Sequence, residues 1–258
     1  MKKNKITDFI LGLIVPAVII LLWWYVTTFT DVPNTILPSI PDVGERLKIL
    51  LESRKLADDL KISLMRVLNG YVVSALLGIV LGTILGISAT AKKILQPILT
   101  VIRQIPIMAW IPLLILWCGI GEGSKIVVIL LASFFPIMVN TQAGISGTPL
   151  EFVEVAKLYK QSALKTFLRV YLPHALPSIQ TGLKLGLGVS WMAVVAAELI
   201  AATSGIGYSM SYARTLMQSD TVIIDMLVIG LIGILMDKIV TIIFNLATPW
   251  EKKRRERN

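Results

Sequence analysis

Charged residues, cysteine and histidine are scarce in this chain. Asp, Glu, Lys and Arg make up only 16% of its 258 residues, whereas soluble domains carry about 25%. Cys118 is the only cysteine, which excludes an intrachain disulfide. His174 is the only histidine, which argues against a zinc site of clustered His and Cys ligands. These absences exclude a water-soluble globule and a disulfide-stabilised secreted domain.

The chain also lacks a phosphate-binding loop and a catalytic arrangement. The string GIGEGSK at 119–125 is rich in glycine, but a phosphate loop requires Gly, four residues, then Gly-Lys-Ser/Thr. Here Ser124 precedes Lys125, and Ile126 follows it. No Ser-His-Asp arrangement is discernible. We therefore expect a chain that is not an enzyme and that binds no cofactor or metal of its own.

Apolar sequence is abundant, at 55% of the residues with a mean hydropathy of +0.77. A run of about 20 apolar residues can cross a hydrocarbon core about 30 Å thick, and its backbone must then be helical. The pattern predicts an all-α polytopic membrane protein in which residues 1–258 form one transmembrane domain with its core at 64–247. The six predicted spans are 9–28, 66–89, 95–118, 124–144, 181–201 and 222–247.

The net charge of +9 reflects membrane topology rather than nucleic-acid binding. The basic residues stand at the ends of apolar runs and not in an aromatic-interleaved patch. With a cytoplasmic N-terminus, about twice as many Lys and Arg residues flank the spans inside as outside, which the positive-inside rule favours. Lys2, Lys3 and the first apolar run resemble a signal peptide, but no small-residue cleavage site follows, so a retained span is predicted. Both termini are expected in the cytoplasm.

Glycine recurs at four-residue spacing in two spans. Such rows allow a second helix to approach closely in lipid. We expect helix packing inside one subunit, with a seam between two copies or a place in the pathway as the alternative. The residues are Gly78, Gly82 and Gly86 in span two and Gly182 and Gly186 in span five.

Span three is interrupted by proline and contains an arginine. Proline kinks a helix, and broken helices in membranes are tolerated where protein or a water-filled cavity covers them. Ionisable residues inside a membrane are functional candidates by default. Arg103 could meet an anionic substrate or pair with a carboxylate such as Glu198, or it could snorkel. The pathway candidates are Arg103, Pro106, Trp110 and Glu198.

The connection at 29–65 is predicted to lie outside the membrane and to contain a surface helix. Pro38 and Pro41 favour an extended entry. Asp42 is the expected N-cap, with Glu45 completing a capping box. A packing role and a docking role for this helix are equally compatible with its pattern.

The segment 151–177 is a polar interruption between long apolar runs. It carries basic residues and ends in two Leu-Pro steps, and its helical pattern suggests that it docks onto a soluble partner.

Three blocks, 103–126, 154–191 and 196–214, resemble the permease subunits of bacterial ATP-binding-cassette importers, and together they resemble the nitrate/sulfonate/taurine-type group. The second block is similar to the cytoplasmic loop of the whole superfamily, with its Glu-Ala-Ala, three residues, Gly and a later Leu-Pro. Glu154 and Ala156 match this pattern.

Two positions depart from the family pattern, since Val155 replaces the first Ala and Lys160 replaces the Gly. Glycine there permits a turn between two short helices. Either Lys160 adopts that turn or the helix continues through it.

The resemblance implies a type I importer permease fold in a bacterial cytoplasmic membrane. It implies a second permease chain, expected to be identical, two ATPase subunits that carry ATP and Mg, and an external substrate-binding protein. A short helix around Leu158–Thr166 would sit in a groove of each ATPase, and Glu154 would position the loop at 145–180 by hydrogen bonds. The coupling residues carried over are Glu154, Ala156, Leu158, Lys160, Ala163, Leu164, Leu172 and Pro173.

The resemblance implies a small anion as substrate, such as an alkanesulfonate, taurine or nitrate. Import of a vitamin-like compound or a pyrimidine precursor is an alternative within the same family. A stand-alone secondary transporter is a further alternative, but it would predict inverted repeats with paired broken helices, and no such symmetry is visible.

Overall fold

The computed structural model describes the backbone of residues 5–247 and the side chains of residues 11–246. All the regular elements in that range are helical. A five-residue π-helical segment, Phe167–Tyr171, joins α8 to α9. The helices are α1 Lys5–Phe29, α2 Ile40–Glu52, α3 Lys55–Ile87, α4 Ala89–Gln104, α5 Ile107–Cys118, α6 Glu122–Ser146, α7 Leu150–Leu158, α8 Ala163–Thr166, α9 Leu172–Ala201, α10 Ile206–Thr215 and α11 Ser219–Ala247.

Helices α3, α6 and α9 form the centre of the bundle, and glycines let their backbones approach closely. A Cβ atom added at Gly78 would lie 2.9 Å from Cγ2 of Ile137, and one at Gly82 would lie 2.5 Å from the carbonyl oxygen of Met138. On α9, a Cβ at Gly186 would lie 2.8 Å from the same isoleucine. Van der Waals packing of this kind holds helices together in lipid. The glycine rows therefore serve packing within the chain, as the sequence predicted.

Helices α3 and α6 run parallel. Ile129 packs on Gly70, Ile137 on Gly78 and Ile145 on Gly86, each with the same offset in sequence. The first residues of α3 and α6 consequently lie at one end of the bundle, together with α2 and α10, and their last residues lie at the other end, next to α7 and α8. We refer to these as the α2 end and the α7 end.

The predicted third span, 95–118, is two helices rather than one kinked helix. Helices α4 and α5 meet at an angle of 97°. Pro106 has no N–H to continue the α4 ladder, and it holds Ile105 in an extended conformation with φ −75° and ψ 121°. Pro97 and Pro112 are accommodated inside α4 and α5. The break is therefore local to Pro106.

Within residues 5–247, five helices are long and apolar enough to cross a membrane, and the bent pair α4–α5 brings the number to six if it counts as one span. This confirms an all-α fold with about six membrane helices. The predicted starts at residues 66 and 181 are too late, because α3 begins at Lys55 and α9 at Leu172. The added turns carry polar residues, which an apolar-run criterion omits.

Helix α2 begins one turn earlier than predicted. Ser39 is the N-cap, and its Oγ accepts a hydrogen bond from the Asp42 N–H at 3.3 Å. Asp42 lies in the first turn instead, where its charge faces the positive end of the helix dipole. The prediction of Asp42 as N-cap is therefore wrong.

Helix α2 is packed onto the bundle rather than resting on a membrane surface alone. Val43 and Leu50 are buried in one cluster with Leu56 of α3. Arg46 donates through Nε to Oγ1 of Thr221 at 2.8 Å and through Nη2 to Oε1 of Gln218 at 3.0 Å. These contacts tie α2 to the start of α11 and support a packing role.

Helix α1 contributes little to the packed bundle. Its side chains from residue 11 to residue 22 are all exposed. At its end, Nε1 of Trp23 donates to the carbonyl oxygen of Pro38 at 2.9 Å. The apolar surface of α1 is therefore available to lipid or to another membrane helix.

Candidate functional site

The first candidate region is the exposed apolar surface of α7 and α8, which we call the α7–α8 surface. Val153 and Ala156 are buried beneath it. Leu158 and Tyr159 expose 81% and 76% of their surface. Contiguous exposed apolar side chains on a soluble surface mark protein interaction sites. The exposed side chains are Leu150, Phe152, Val155, Leu158, Tyr159 and Leu164.

A turn centred on Lys160 separates α7 from α8. Lys160 has φ +51°, in the left-handed region. Its N–H donates to the carbonyl of Lys157 at 2.9 Å, and the N–H of Gln161 donates to the carbonyl of Ala156 at 3.0 Å. This pair of bonds is a Schellman motif, which glycine usually closes. Lys160 thus adopts the turn, and the predicted single helix around Leu158–Thr166 is two helices.

The α8 helix begins with its own cap. Oγ of Ser162 accepts from the Lys165 N–H at 3.4 Å, and Oγ1 of Thr166 donates to the Ser162 carbonyl at 3.1 Å. The short helix then continues through the π-helical segment into α9. α8, the π-helical segment and α9 therefore form one continuous helical run from Ala163 to Ala201.

The predicted coupling residues divide between a surface layer and a support. Leu158, Ala163 and Leu164 are exposed. Ala156 is buried, and Leu172 and Pro173 form the first turn of α9. A cavity of about 650 Å³ between α7 and the start of α9 is lined by Ala156, Tyr159, Arg169, Pro173 and others.

Glu154 is exposed on α7. Within residues 11–246, its carboxylate has no hydrogen-bond partner, so no contact in the structure supports the predicted positioning role. Its charge is free to meet a partner.

The second candidate region is an open cavity of about 430 Å³ at the break between α4 and α5, lined on its other side by α6 and α9. Three of the four predicted pathway residues, Arg103, Pro106 and Trp110, line it. Among the described residues in its wall, Arg103 is the one with a charge. We call this space the break cavity.

The break cavity combines one cation with an apolar wall. Phe135, Leu185 and Val189 contribute apolar surface. Asn140, also in the wall, donates through Nδ2 to the Pro136 carbonyl at 2.8 Å, which holds its amide in place. A guanidinium offers several N–H donors in a planar fork suited to oxyanions. The arrangement fits a small anion that carries a short apolar part.

The fourth predicted pathway residue, Glu198, lies elsewhere. It is 1% exposed and sits at the α2 end. Its Oε1 lies 2.6 Å from Nη1 of Arg66. It also accepts hydrogen bonds from Oγ of Ser63 at 2.8 Å and from the N–H of Gly207 at 2.9 Å. Pairing of Glu198 with Arg103, one of the sequence hypotheses, is therefore wrong.

Arg66 is the residue that sequence reasoning passed over. Its Nη2 lies 2.6 Å from Oε1 of Glu122, and its Nη1 donates to the carbonyl of Ser204 at 2.7 Å. The available signal was a lone arginine beside a long apolar run, which requires a partner. The Arg66 cluster, defined as Ser63, Arg66, Glu122, Glu198 and Ser204, joins α3, α6, α9 and the turn before α10.

The Arg66 cluster is a satisfied network. The turn is held further by the N–H of Gly205, which donates to Oδ1 of Asp59 at 3.1 Å, and by the N–H of Ile206, which donates to Oγ of Ser63 at 3.0 Å. Buried polar networks of this kind rigidify a structure when each member has its partners. The cluster therefore has the properties of a structural joint rather than of a ligand site.

The family model "Binding-protein-dependent transport system inner membrane component" matches residues 74–253. That range contains α4 to α11 and therefore both candidate regions.

Curated relatives match over most of the chain. A protein named putative aliphatic sulfonates transport permease SsuC from Bacillus subtilis is 36% identical over 93% of this chain and 87% of its own length. The taurine transport system permease TauC of Escherichia coli is 36% identical over 91% and 87%. The nitrate import permease NrtB of Leptolyngbya laminosa is 37% identical over 74% and 68%.

Among solved structures, a chain of an amino acid ABC transporter, crystallised with histidines, superposes with a TM-score of 0.64 over 77% of this chain and 97% of its own. The sequence identity is 14%, so this likeness concerns the fold. It confirms the predicted importer permease fold.

Proposed function

The chain belongs to the family of binding-protein-dependent transport system inner-membrane components, and from this premise we propose that it conducts a small anion across the membrane under the drive of a separate ATPase. The observation that carries the proposal is the α7–α8 surface. It exposes apolar side chains on α7, which is not part of any candidate span, and through α8 it is continuous with α9 of the central bundle.

The α7–α8 surface is the proposed docking site of the ATPase. Leu158 and Leu164 flank the Lys160 turn and offer two apolar anchors to a groove. Closure of two ATPase subunits on ATP and Mg would bring two such surfaces together and rock the spans as rigid bodies. This mechanism requires a second permease chain, which we propose is identical, and an extracytoplasmic binding protein at the α2 end.

The α7 end is proposed to face the cytoplasm, with both termini on the same side. The basic residues at that end include Lys92 and Lys93 near the start of α4 and those of 151–177. Positive charge near span ends favours the cytoplasmic side. The parallel course of α3 and α6 supports this arrangement, because it brings these basic residues to one end of the bundle.

The proposed substrate is an alkanesulfonate, taurine or nitrate. Three relatives carry names for these anions, and the break cavity supplies Arg103 as a cation within an apolar wall. A neutral pyrimidine precursor would leave the guanidinium without an anionic partner. The cavity therefore favours an anion over that alternative and over other neutral vitamin-like compounds.

The coupling proposal is tested by co-purification in mild detergent with the proposed partner ATPase. We expect the ATPase to bind the native chain and to be lost when residues 154–166 are replaced by a Gly/Ser linker. The control is a shorter Gly/Ser replacement at 30–34, at the opposite end of the bundle, which should retain the ATPase. Absence of the ATPase from the folded native chain would refute the proposal.

A further inference from the structure

Helix α4 has three distinct faces along its 16 residues. One face packs on the bundle, where it contacts the cluster of Leu85, Phe135 and Met138. A second face is apolar and exposed. The third is polar from Lys92 to Gln104. The packed face consists of Ala91, Leu95, Leu99 and Ile102, the exposed apolar face of Ile94, Ile98 and Val101, and the polar face of Lys92, Lys93, Gln96, Thr100, Arg103 and Gln104.

The polar face follows from helical spacing. Gln96, Thr100 and Gln104 recur every four residues, and Arg103 lies beside them. From Lys92 to Gln104, at 1.5 Å per residue, the face is about 20 Å long. A polar strip of this length and charge is unfavourable against lipid, so water or protein must cover it. The exposed apolar face of α4 can meet lipid, and the polar face cannot.

The polar face connects the break cavity with the α7 end. Arg103, in its last turn, lines the cavity. Halfway along, Oε1 of Gln96 accepts from Nε2 of Gln142 on α6 at 2.9 Å. Lys92 and Lys93 lie in its first two turns, where α4 follows directly on the end of α3. The face therefore forms a continuous polar line from the middle of the bundle to that end.

The charge on this line has a single sign. The helix contains two lysines and one arginine and has no Asp or Glu. Clefts lined by one sign of charge with low-dielectric walls concentrate the counter-ion. An anion that leaves the break cavity would meet uncharged amide and hydroxyl groups first and then the lysines at the exit.

We propose that the polar face of α4 is the wall along which a sulfonate-type anion moves from the break cavity to the α7 end. This inference rests on the proposed function, because it assigns a route to the same anion. It adds an exit path for the anion. It also assigns different surroundings to the polar face and the exposed apolar face of α4, which a hydropathy average over the helix does not distinguish.

The test uses single cysteines in the assembled permease–ATPase complex in inside-out vesicles, on a Cys118→Ser background. Thr100→Cys and Gln104→Cys report on the polar face, and Ile98→Cys is the matched control on the exposed apolar face. Two thiol reagents of similar size are compared. One is the anionic sulfonatoethyl methanethiosulfonate, itself an alkanesulfonate, and the other is its trimethylammonium counterpart.

We expect both polar-face cysteines to react about tenfold faster with the anionic reagent than with the cationic one, after each rate is divided by the rate of that reagent with a free thiol. Clefts lined by one sign of charge raise the local concentration of counter-ions by at least that factor. Arg103→Gln should reduce this preference, and Ile98→Cys should react with neither reagent. A polar face that lies at the lipid surface instead would favour the cationic reagent or neither. That result, or unreactive cysteines at both positions, would overturn the inference.

Uptake separates this inference from the proposed function. Radiolabelled taurine and ethanesulfonate are followed in proteoliposomes of the complex with its binding protein. Transport without anion-selective labelling removes the α4 route and leaves the proposed function. Anion-selective labelling without transport of either compound supports the route and refutes the substrate assignment.

Discussion

Replacing Glu198 by alanine is expected to destabilise the α2 end of the bundle strongly. The carboxylate accepts hydrogen bonds from Ser63, Arg66 and the N–H of Gly207, and it is 1% exposed. Without it, the Gly207 N–H is buried without an acceptor, and the buried Arg66 loses one of its two carboxylate partners. Glu122 still binds Arg66 in this variant, so the cost comes from the lost buried hydrogen bonds of Arg66 and from the Gly207 N–H without an acceptor, together about 3–5 kcal/mol.

Glu122 provides the matched control on the same arginine. It also binds Arg66 at 2.6 Å, but its side chain is 60% exposed. Exposed ion pairs contribute about 0–1 kcal/mol, and Glu198 would still neutralise the arginine. The same substitution, Glu122→Ala, should therefore have a much smaller effect. Glu198→Gln should fall between the two, because its amide oxygen can still accept a hydrogen bond.

The assay is thermal unfolding of the purified chain in one detergent at one heating rate. A loss of 1 kcal/mol lowers Tm by about 2–4 °C in domains of this size, so Glu198→Ala should lower Tm by about 10 °C and Glu122→Ala by less than about 4 °C. Hydrogen exchange at the turn before α10 should accelerate in the first variant only. Equal shifts for the two alanine variants, or no shift for Glu198→Ala, would refute the reasoning.

Three further outcomes are expected. Arg103→Gln should lower sulfonate uptake at least tenfold, because a charge-assisted hydrogen bond contributes about 1.5–3 kcal/mol. ATPase co-purification should be unchanged. Uptake at the wild-type rate would show that Arg103 is not part of the pathway. Lys160→Gly should retain the ATPase and raise Tm slightly, since the left-handed conformation costs an L-residue about 1 kcal/mol. The β-branched Lys160→Val should weaken ATPase co-purification. Stronger co-purification with the Val variant than with the Gly variant would contradict the left-handed turn. Gly82→Ala should destabilise the chain by about 1–3 kcal/mol through overpacking against α6. Gly188→Ala should not, because no atom lies within 4 Å of the added Cβ. Similar Tm values for the two variants would contradict the close packing at Gly82.

The membrane helices were predictable because each long apolar run has one stable form in lipid. The sequence shows an apolar run at each of α1, α3, α6, α9 and α11. Their polar ends were not predictable, because the extra turns of α3 and α9 are stabilised by contacts with other elements. The location of the α7–α8 surface in the segment between spans was predictable, because burying a polar stretch in lipid is unfavourable.

The sequence by itself determined the all-helical membrane fold with about six spans and the helical segment between spans at 151–177, because these depend on local composition and periodicity. Only the tertiary structure decided that Glu198 pairs with Arg66 and not with Arg103, since partners distant in the chain are chosen by the packing of whole helices. It also decided the 97° angle at Pro106 and the left-handed turn at Lys160. The local sequence at Glu198, Pro106 and Lys160 is compatible with more than one conformation or partner. Packing against the surrounding helices determines which one is adopted.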